Sequence, residues 1–125
     1  MIHHVSLGTN DLAASRRFYD AVLPIVGLAP LSAEADGIGY AAGQFHFSVQ
    51  VPIDGAPASV GNGSHVAFGV EDRGMVQRFH AAALANGGTD DGAPGLRTAY
   101  DAHYYGAFVR DPDGHKIEAV TYSAK

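Results

Sequence analysis

Two histidines in this sequence are placed so that they could bind one metal ion. His4 and His65 lie 61 positions apart, each within a segment that alternates like a half-buried strand. The alternative is that each is a core histidine with satisfied hydrogen bonds. The residues that share their strand faces are small, which leaves room for a ligand: Ser6 and Gly8 beside His4, and Ala67 and Gly69 beside His65. Because this arrangement occurs twice, we expect the two imidazoles to act as ligands.

A carboxylate is the expected third ligand. Glu118 lies mid-strand among apolar residues, where an unpaired charge would be costly; the alternative is an exposed glutamate on an edge strand. His46 is the expected fourth ligand, with Ser48 and Gln50 behind it on the same face, although it could instead line the pocket or face solvent. Two histidines and one carboxylate, with open positions left over, suit a divalent Zn, Ni, Mn or Fe ion.

A long glycine-bearing segment carries a cluster of one cation and several rings. Its members are Arg97, Tyr100, His103, Tyr104 and Tyr105. We expect Arg97, Tyr100, His103 and Tyr105 to bind the substrate, since they offer contacts to anions and rings. The same residues could equally form an ordinary aromatic loop.

The two histidines belong to a longer internal repeat. Residues 4–27 and 65–88 align without a gap and share nine identities in 24 positions, which in the first copy are His4, Val5, Gly8, Asp11, Arg17, Phe18, Ala21, Leu23 and Gly27. Only two copies exist, so the repeat indicates a duplicated module rather than a solenoid. If the modules pack about a pseudo-twofold axis, their histidines can converge near it.

Each copy predicts a strand that enters a helix, followed by about three strands. In the first module these are a strand at Ile2–Gly8, a helix capped by Asn10 or Asp11, and strands from Leu31 to Val51. Pro52 to Gly63 is rich in Pro, Gly and Ser and is the expected linker.

The second module repeats this order. We expect a strand at His65–Val70, a helix from Asp72 to about Asn86, a loop at Thr89–Gly95 and strands at Tyr104–Arg110 and Lys116–Tyr122. The predicted fold class is α+β, with two βαβββ modules forming a cupped mixed sheet around a metal or ligand cavity.

Composition excludes several classes of protein. A chain of 125 residues is one domain's worth, and the lack of cysteine rules out disulfides, cysteine-based zinc fingers and thiol nucleophiles. The eight basic residues are scattered in a chain of net charge −5, which argues against binding nucleic acid or an anionic membrane. No export signal or membrane-spanning run is evident, so we expect a cytoplasmic protein.

Three blocks of the sequence resemble the vicinal oxygen chelate superfamily, which includes glyoxalase I, fosfomycin and bleomycin resistance proteins, and extradiol dioxygenases. They are His4-Val-Ser-Leu with Asp11-Leu12 and Phe18-Tyr19, then His65-Val-Ala-Phe, and then Phe108 to Glu118. The resemblance implies a single glyoxalase-like domain over residues 1–125, made of modules 1–52 and 64–125. It also places His4, His65 and Glu118 at the family's usual metal-ligand positions.

The resemblance implies an enzyme that chelates two adjacent oxygens of a small, oxygen-rich substrate. The divalent metal would stabilise an enolate or alkoxide, in lyase, isomerase or glutathione-transfer chemistry such as that of a lactoylglutathione lyase. Glu118 or a metal-bound water would move the proton. The alternative is a non-catalytic protein that sequesters a small molecule, as in antibiotic resistance. The first module carries His46, Ser48 or Gln50 where glyoxalase I has a glutamate, and Phe108 replaces a tyrosine typical of extradiol dioxygenases.

We expect a homodimer. The segments Ile2–Gly8 and His65–Val70 are the candidate edge strands, and neither contains a lysine or proline that would discourage pairing. Symmetric closure as a C2 pair is the commonest oligomeric arrangement, and small members of the resembling family commonly associate in this way. The pocket could then take residues from both chains.

Overall fold

The two copies of the repeat form two similar βαβββ units. The computed structural model describes all 125 residues. The first unit contains β1 (His4–Gly8), α1 (Leu12–Val22), β2 (Ala29–Ala33), β3 (Gly37–Ala42) and β4 (Phe45–Gln50). The second contains β5 (His65–Gly69), α2 (Arg73–Ala85), β6 (Thr89–Leu96), β7 (Tyr105–Arg110) and β8 (Lys116–Thr121). The predicted α+β class and module order are confirmed.

Each unit builds one four-stranded mixed sheet. The strand orders are β1-β4-β3-β2 and β5-β8-β7-β6, so the first strand of each unit is an edge strand, as predicted. The β1–β4 and β5–β8 pairs are parallel, and all other pairs are antiparallel. Strands β4 and β8 therefore occupy matching interior positions, which is where the candidate ligands His46 and Glu118 lie.

The prediction of a loop at Thr89–Gly95 is wrong. This segment forms most of β6 and pairs with β7, with register shifts on either side of Gly92. Its Asp, Gly and Pro residues have low strand propensity, but pairing with a neighbouring strand outweighs that preference. Pro94 is tolerated because β6 is an edge strand, which needs hydrogen-bond donors on only one side.

The two helices begin at matching caps. The side chain of Asp11 accepts a hydrogen bond from Ala14 N (3.0 Å), and that of Asp72 accepts one from Met75 N (2.8 Å). These caps satisfy backbone donors that the first helical turn leaves unpaired. None of the helices has the length and hydropathy that a membrane span requires.

One hydrophobic core is shared by both modules. Eighteen buried residues form a continuous cluster, which includes Phe18 and Phe47 from the first module and Phe68 and Phe79 from the second. The rings of Phe47 and Phe68 meet edge to face at 5.5 Å across the module boundary. Each sheet thus commits one face to this core and leaves its other face available for a site.

A turn at Asp111–His115, which we call the module clasp, ties the second module to the first. The carboxylate of Asp113 accepts hydrogen bonds from Thr9 Oγ1 (2.6 Å), Asn10 N (2.8 Å) and Ser15 Oγ (3.1 Å). Thr9 and Ser15 are buried, so their hydroxyl groups need these partners.

The rest of the module clasp is also structural. Tyr19 Oη donates to Asp111 Oδ2 at 2.5 Å, and His115 Nε2 donates to the carbonyl oxygen of Gly8 at 2.7 Å. Burial raises the pKa of Asp111, an effect that the Tyr19 hydrogen bond opposes. These bonds fix how the end of β1 sits against the start of β8.

Candidate functional site

Glu118 is the most deeply buried of the candidate ligands. It lies in the middle of β8, between β5 and β7, and is 1 % exposed. Tyr104 Oη donates a hydrogen bond to Glu118 Oε2, and His65 Nε2 lies 3.5 Å from Glu118 Oε1. A buried carboxylate is stable only with strong partners, and one phenol satisfies only part of its accepting capacity.

The spacing of His65 and Glu118 fits two ligands of one cation. A typical N–H···O hydrogen bond is about 2.9 Å long, so 3.5 Å is long for a direct bond between them. Two ligands of a tetrahedral ion, each bound at about 2.1 Å, would lie about 3.4 Å apart. One imidazole nitrogen and one carboxylate oxygen also match the donor types that divalent transition metals accept.

Tyr104 is held in place by other rings. It meets Tyr100 at 5.0 Å and Tyr122 at 5.6 Å between ring centroids, both nearly edge to face. Burial and the hydrogen bond to Glu118 raise the pKa of Tyr104, so its phenol keeps its proton and remains a donor. Because Tyr104 bonds Oε2, Oε1 is the oxygen of Glu118 that faces His65.

The first module contributes the other two candidate ligands, which are both imidazoles. His4 and His46 are directly opposite each other on the parallel strands β1 and β4. His3 Nδ1 lies 2.9 Å from His4 Nδ1. Two residues further along the same strands, Ser6 Oγ lies 2.8 Å from Ser48 Oγ. The first module therefore offers imidazole and hydroxyl groups. The second module offers a carboxylate.

The strand register shows which residue of the first module is equivalent to Glu118. Glu118 is opposite Ala67 on β5, and Ser48 is opposite Ser6 on β1. Since Ser6 and Ala67 are equivalent in the repeat, Ser48 occupies the position that corresponds to Glu118. His46 lies two residues before Ser48 on β4. If His46 binds the metal as predicted, it would do so from a different position in its sheet than Glu118.

The two halves of the predicted ligand set lie in separate depressions. One cavity of about 300 Å³ is lined by His65, Tyr100, Tyr104, Phe108, Lys116 and Glu118. Another of about 360 Å³ is lined by residues of β1 to β4 that include His4, His46 and Ser48. Within one chain, no three His, Cys, Asp or Glu side chains are arranged so that they could hold a metal ion.

The predicted substrate-binding residues are divided between several places. Tyr100 is 67 % exposed and lines the Glu118 cavity. The Arg97 guanidinium lies 5.5 Å from the centre of the Phe108 ring and donates to Ala93 O. Phe108 is directly opposite Glu118, so Arg97 also borders this face.

The other two predicted substrate-binding residues lie elsewhere. His103 is an exposed loop residue whose backbone N–H bonds Asp101. Tyr105 accepts a hydrogen bond from Gln77 on α2, and Arg73 lies over its ring at 4.8 Å. Tyr105 therefore faces the helix, and its placement does not support contact with a substrate beside Glu118.

Sequence reasoning missed two features of this site. The aromatic cluster included Tyr104, but nothing in the pattern indicated that its hydroxyl would reach Glu118 across 14 positions. Lys116 also lines the Glu118 cavity. Its position two residues before Glu118 on one strand was a usable signal, because such residues share a face.

The chain matches one family model over nearly its whole length. Residues 1–119 match the family model described as the Glyoxalase/Bleomycin resistance protein/Dioxygenase superfamily. No curated protein matches the sequence significantly.

Several solved structures share the fold over nearly the whole chain. A glyoxalase/bleomycin resistance protein from Albidiferax ferrireducens is 41 % identical with a TM-score of 0.89, covering 97 % of this chain and 98 % of its own. A glyoxalase-related enzyme from Fulvimarina pelagi is 26 % identical with a TM-score of 0.74, covering 97 % and 87 %. A lactoylglutathione lyase from Agrobacterium tumefaciens is 18 % identical with a TM-score of 0.69, covering 97 % and 92 %, and this likeness concerns the fold alone.

Proposed function

Because this chain belongs to the Glyoxalase/Bleomycin resistance protein/Dioxygenase superfamily, we propose that it is a metal-dependent enzyme acting on a small, oxygen-rich substrate. The reaction would be of the lyase or isomerase type, or a glutathione transfer. The observation that carries this proposal is the buried Glu118 carboxylate, whose Oε1 faces His65 Nε2 at 3.5 Å. A carboxylate with one phenol donor and a distant imidazole still has accepting capacity, which a bound cation would use.

The complete site would form in a homodimer. One chain offers His65 with Glu118 in one depression and His4 with His46 in another. Strands β1 and β5, which carry the two repeat histidines, both lie at sheet edges and have a free pairing side. A C2 arrangement would set His4 of one chain against His65 and Glu118 of its partner, twice per dimer.

In this proposal His4, His65 and Glu118 hold a divalent Zn, Ni, Mn or Fe ion. Bound there, the ion would supply Lewis acidity for negative charge that develops on a substrate oxygen. Glu118 would also act as the general base: Tyr104 holds its Oε2, so the proton taken from substrate carbon, and then returned to a neighbouring atom, would be carried by Oε1 in exchange for the ion.

Metal content tests the proposal directly. Protein purified without a histidine tag should contain about one divalent metal ion per chain, since one ion needs the ligands of one complete site. His65→Ala should lose the metal and keep the fold, as judged by circular dichroism. His80→Ala is the matched control, because His80 lies on α2 and bonds Asp90 rather than the site. Unchanged metal content in His65→Ala would refute the ligand assignment.

Two further measurements complete this test. Light scattering at micromolar concentration should give twice the 13.0 kDa mass of one chain, and the mass of a single chain would refute the dimer. Metal-loaded protein should then turn over a member of a panel of thiol adducts, epoxides and catechols.

One observation favours a second candidate, a non-catalytic binding protein. Ser48 occupies the position equivalent to Glu118, so the first module offers no second carboxylate for acid–base chemistry. A protein of this kind would bind a compound of the panel stoichiometrically and return it unchanged. Catalytic turnover of any compound at that site would exclude it.

A further inference from the structure

Three nitrogen-bearing side chains form a row across the second sheet. Lys116 on β8 is directly opposite His65 on β5 and Arg110 on β7. Successive strand residues point to opposite faces, so these three share the face of Glu118, which is two residues beyond Lys116. We call His65, Lys116 and Arg110 the basic row.

Lys116 and Arg110, the two cations of the basic row, share one carboxylate. Asp91 lies 3.0 Å from Arg110 Nε and 3.8 Å from Lys116 Nζ. Glu118 faces His65, the third member of the row, and accepts a hydrogen bond from Tyr104. Lys116 and Arg110 carry more N–H donors than Asp91 can accept, so they have donors left for an anion.

A cavity opens along the basic row. It measures about 360 Å³ and is lined almost entirely by polar groups and glycine, namely residues 60–64 with His65, Arg110 and Lys116. His65 and Lys116 also line the cavity that contains Glu118. The two spaces therefore meet at the point where the proposed metal site ends and the basic row begins.

We propose that the two cations of the basic row, Lys116 and Arg110, bind an anionic oxygen group of the substrate, such as a carboxylate, phosphonate or phosphate. This inference rests on the proposed function, because it names the substrate class of that site. Lys116 precedes Glu118 by two strand residues, a distance of about 6.6 Å. The substrate would be a small molecule with two adjacent oxygens at one end and an oxyanion roughly that far away. Lys116 and Arg110 give it charge-assisted hydrogen bonds.

Anion binding by metal-free protein tests the inference. We would treat the protein with a chelator, titrate it with inorganic phosphate and separately with acetate, and follow backbone amide shifts by NMR. Phosphate should shift the amides of the basic row, and Lys116→Gln should weaken its binding about tenfold, as expected for one charge-assisted hydrogen bond. Lys116→Arg should restore binding. Arg78→Gln, which removes a cation from the exposed side of α2, should change nothing.

Each other outcome overturns the inference. Equal binding by wild type and Lys116→Gln would show that the row is not a site, as would failure of both anions to bind. An equal loss in Lys116→Gln and Arg78→Gln would show that only overall charge matters. The relative affinity for phosphate and acetate separates a phosphate-type group from a carboxylate.

The same experiment distinguishes failure of the inference from failure of the proposed function. Phosphate binding by a protein that never takes up metal would refute the metal-dependent enzyme and leave the anion site standing. Metal uptake through His65 without any response of Lys116 to phosphate or acetate would refute only the anion site.

Discussion

Mixing two inactive variants tests whether the proposed metal site is shared between chains. His4→Ala removes a ligand of the first module, and Glu118→Ala removes one of the second, so neither variant alone should hold metal. The two ligands lie in separate depressions of one chain. In a C2 dimer of one variant chain with the other, one site lacks both ligands. The second site is intact, because it takes His4 from the Glu118→Ala chain and Glu118 from the His4→Ala chain.

The expected recovery follows from counting sites. Equal amounts of the two variants, refolded together, give about half mixed dimers, and half of the sites in those are intact, so about one quarter of all sites should bind metal. Metal content measured by atomic emission after gel filtration gives this fraction directly.

A matched mixture provides the control. His65→Ala with Glu118→Ala places both losses in the same half of the site, so every site in every dimer lacks a ligand and metal content should stay near zero. If the His4→Ala and Glu118→Ala mixture also stays near zero, the site is not shared between chains. If the two mixtures recover metal equally, the ligand assignment itself is refuted.

Three more variants test other parts of the structure. Tyr104→Phe removes the donor to Glu118 Oε2 and should weaken metal binding about tenfold, the low end of the range for groups that orient a ligand; calorimetry measures this, and unchanged affinity would contradict the role. Asp113→Ala removes the acceptor of three hydrogen bonds and should lower the free energy of unfolding by about 3 kcal/mol in urea melts, whereas a loss under about 1 kcal/mol would contradict the module clasp. Burial raises the pKa of Asp111, so its contribution to stability is full below its unfolded-state pKa and is lost as pH rises through the folded-state pKa. Urea unfolding should show wild type losing stability relative to Asp111→Asn as pH rises from about 4, and a constant difference would contradict this.

Much of the fold could be predicted from the internal repeat. A strand, an aspartate cap and a helix recur with a spacing of 61 residues, and the structure has them at β1–α1 and β5–α2. The caps Asp11 and Asp72 were predictable because the cap interaction is local. Strand β6 was not, because it depends on pairing with β7 rather than on its own residues.

The candidate site was less predictable, because it depends on contacts that the repeat does not encode. The sequence identified His65 and Glu118, which lie together, but could not show that His4 lies in a different depression of the same chain. That separation depends on how the modules pack. Alternation gave the faces of His46 and Ser48, but only the register showed that Ser48 matches Glu118.

The module clasp has a consequence for synthesis of the protein on the ribosome. The bond between Thr9 and Asp113 joins residues 104 positions apart in a chain of 125. The buried hydroxyl groups of Thr9 and Ser15 therefore meet their carboxylate partner only after residue 113 has left the exit tunnel. Thr9 Oγ1 and Ser15 Oγ lie 2.7 Å apart, so a chain that stalls before Asp111 would leave these hydroxyl groups with each other but without the carboxylate to which both donate. The module clasp thus makes the packing of the first module's helix depend on synthesis of the second module.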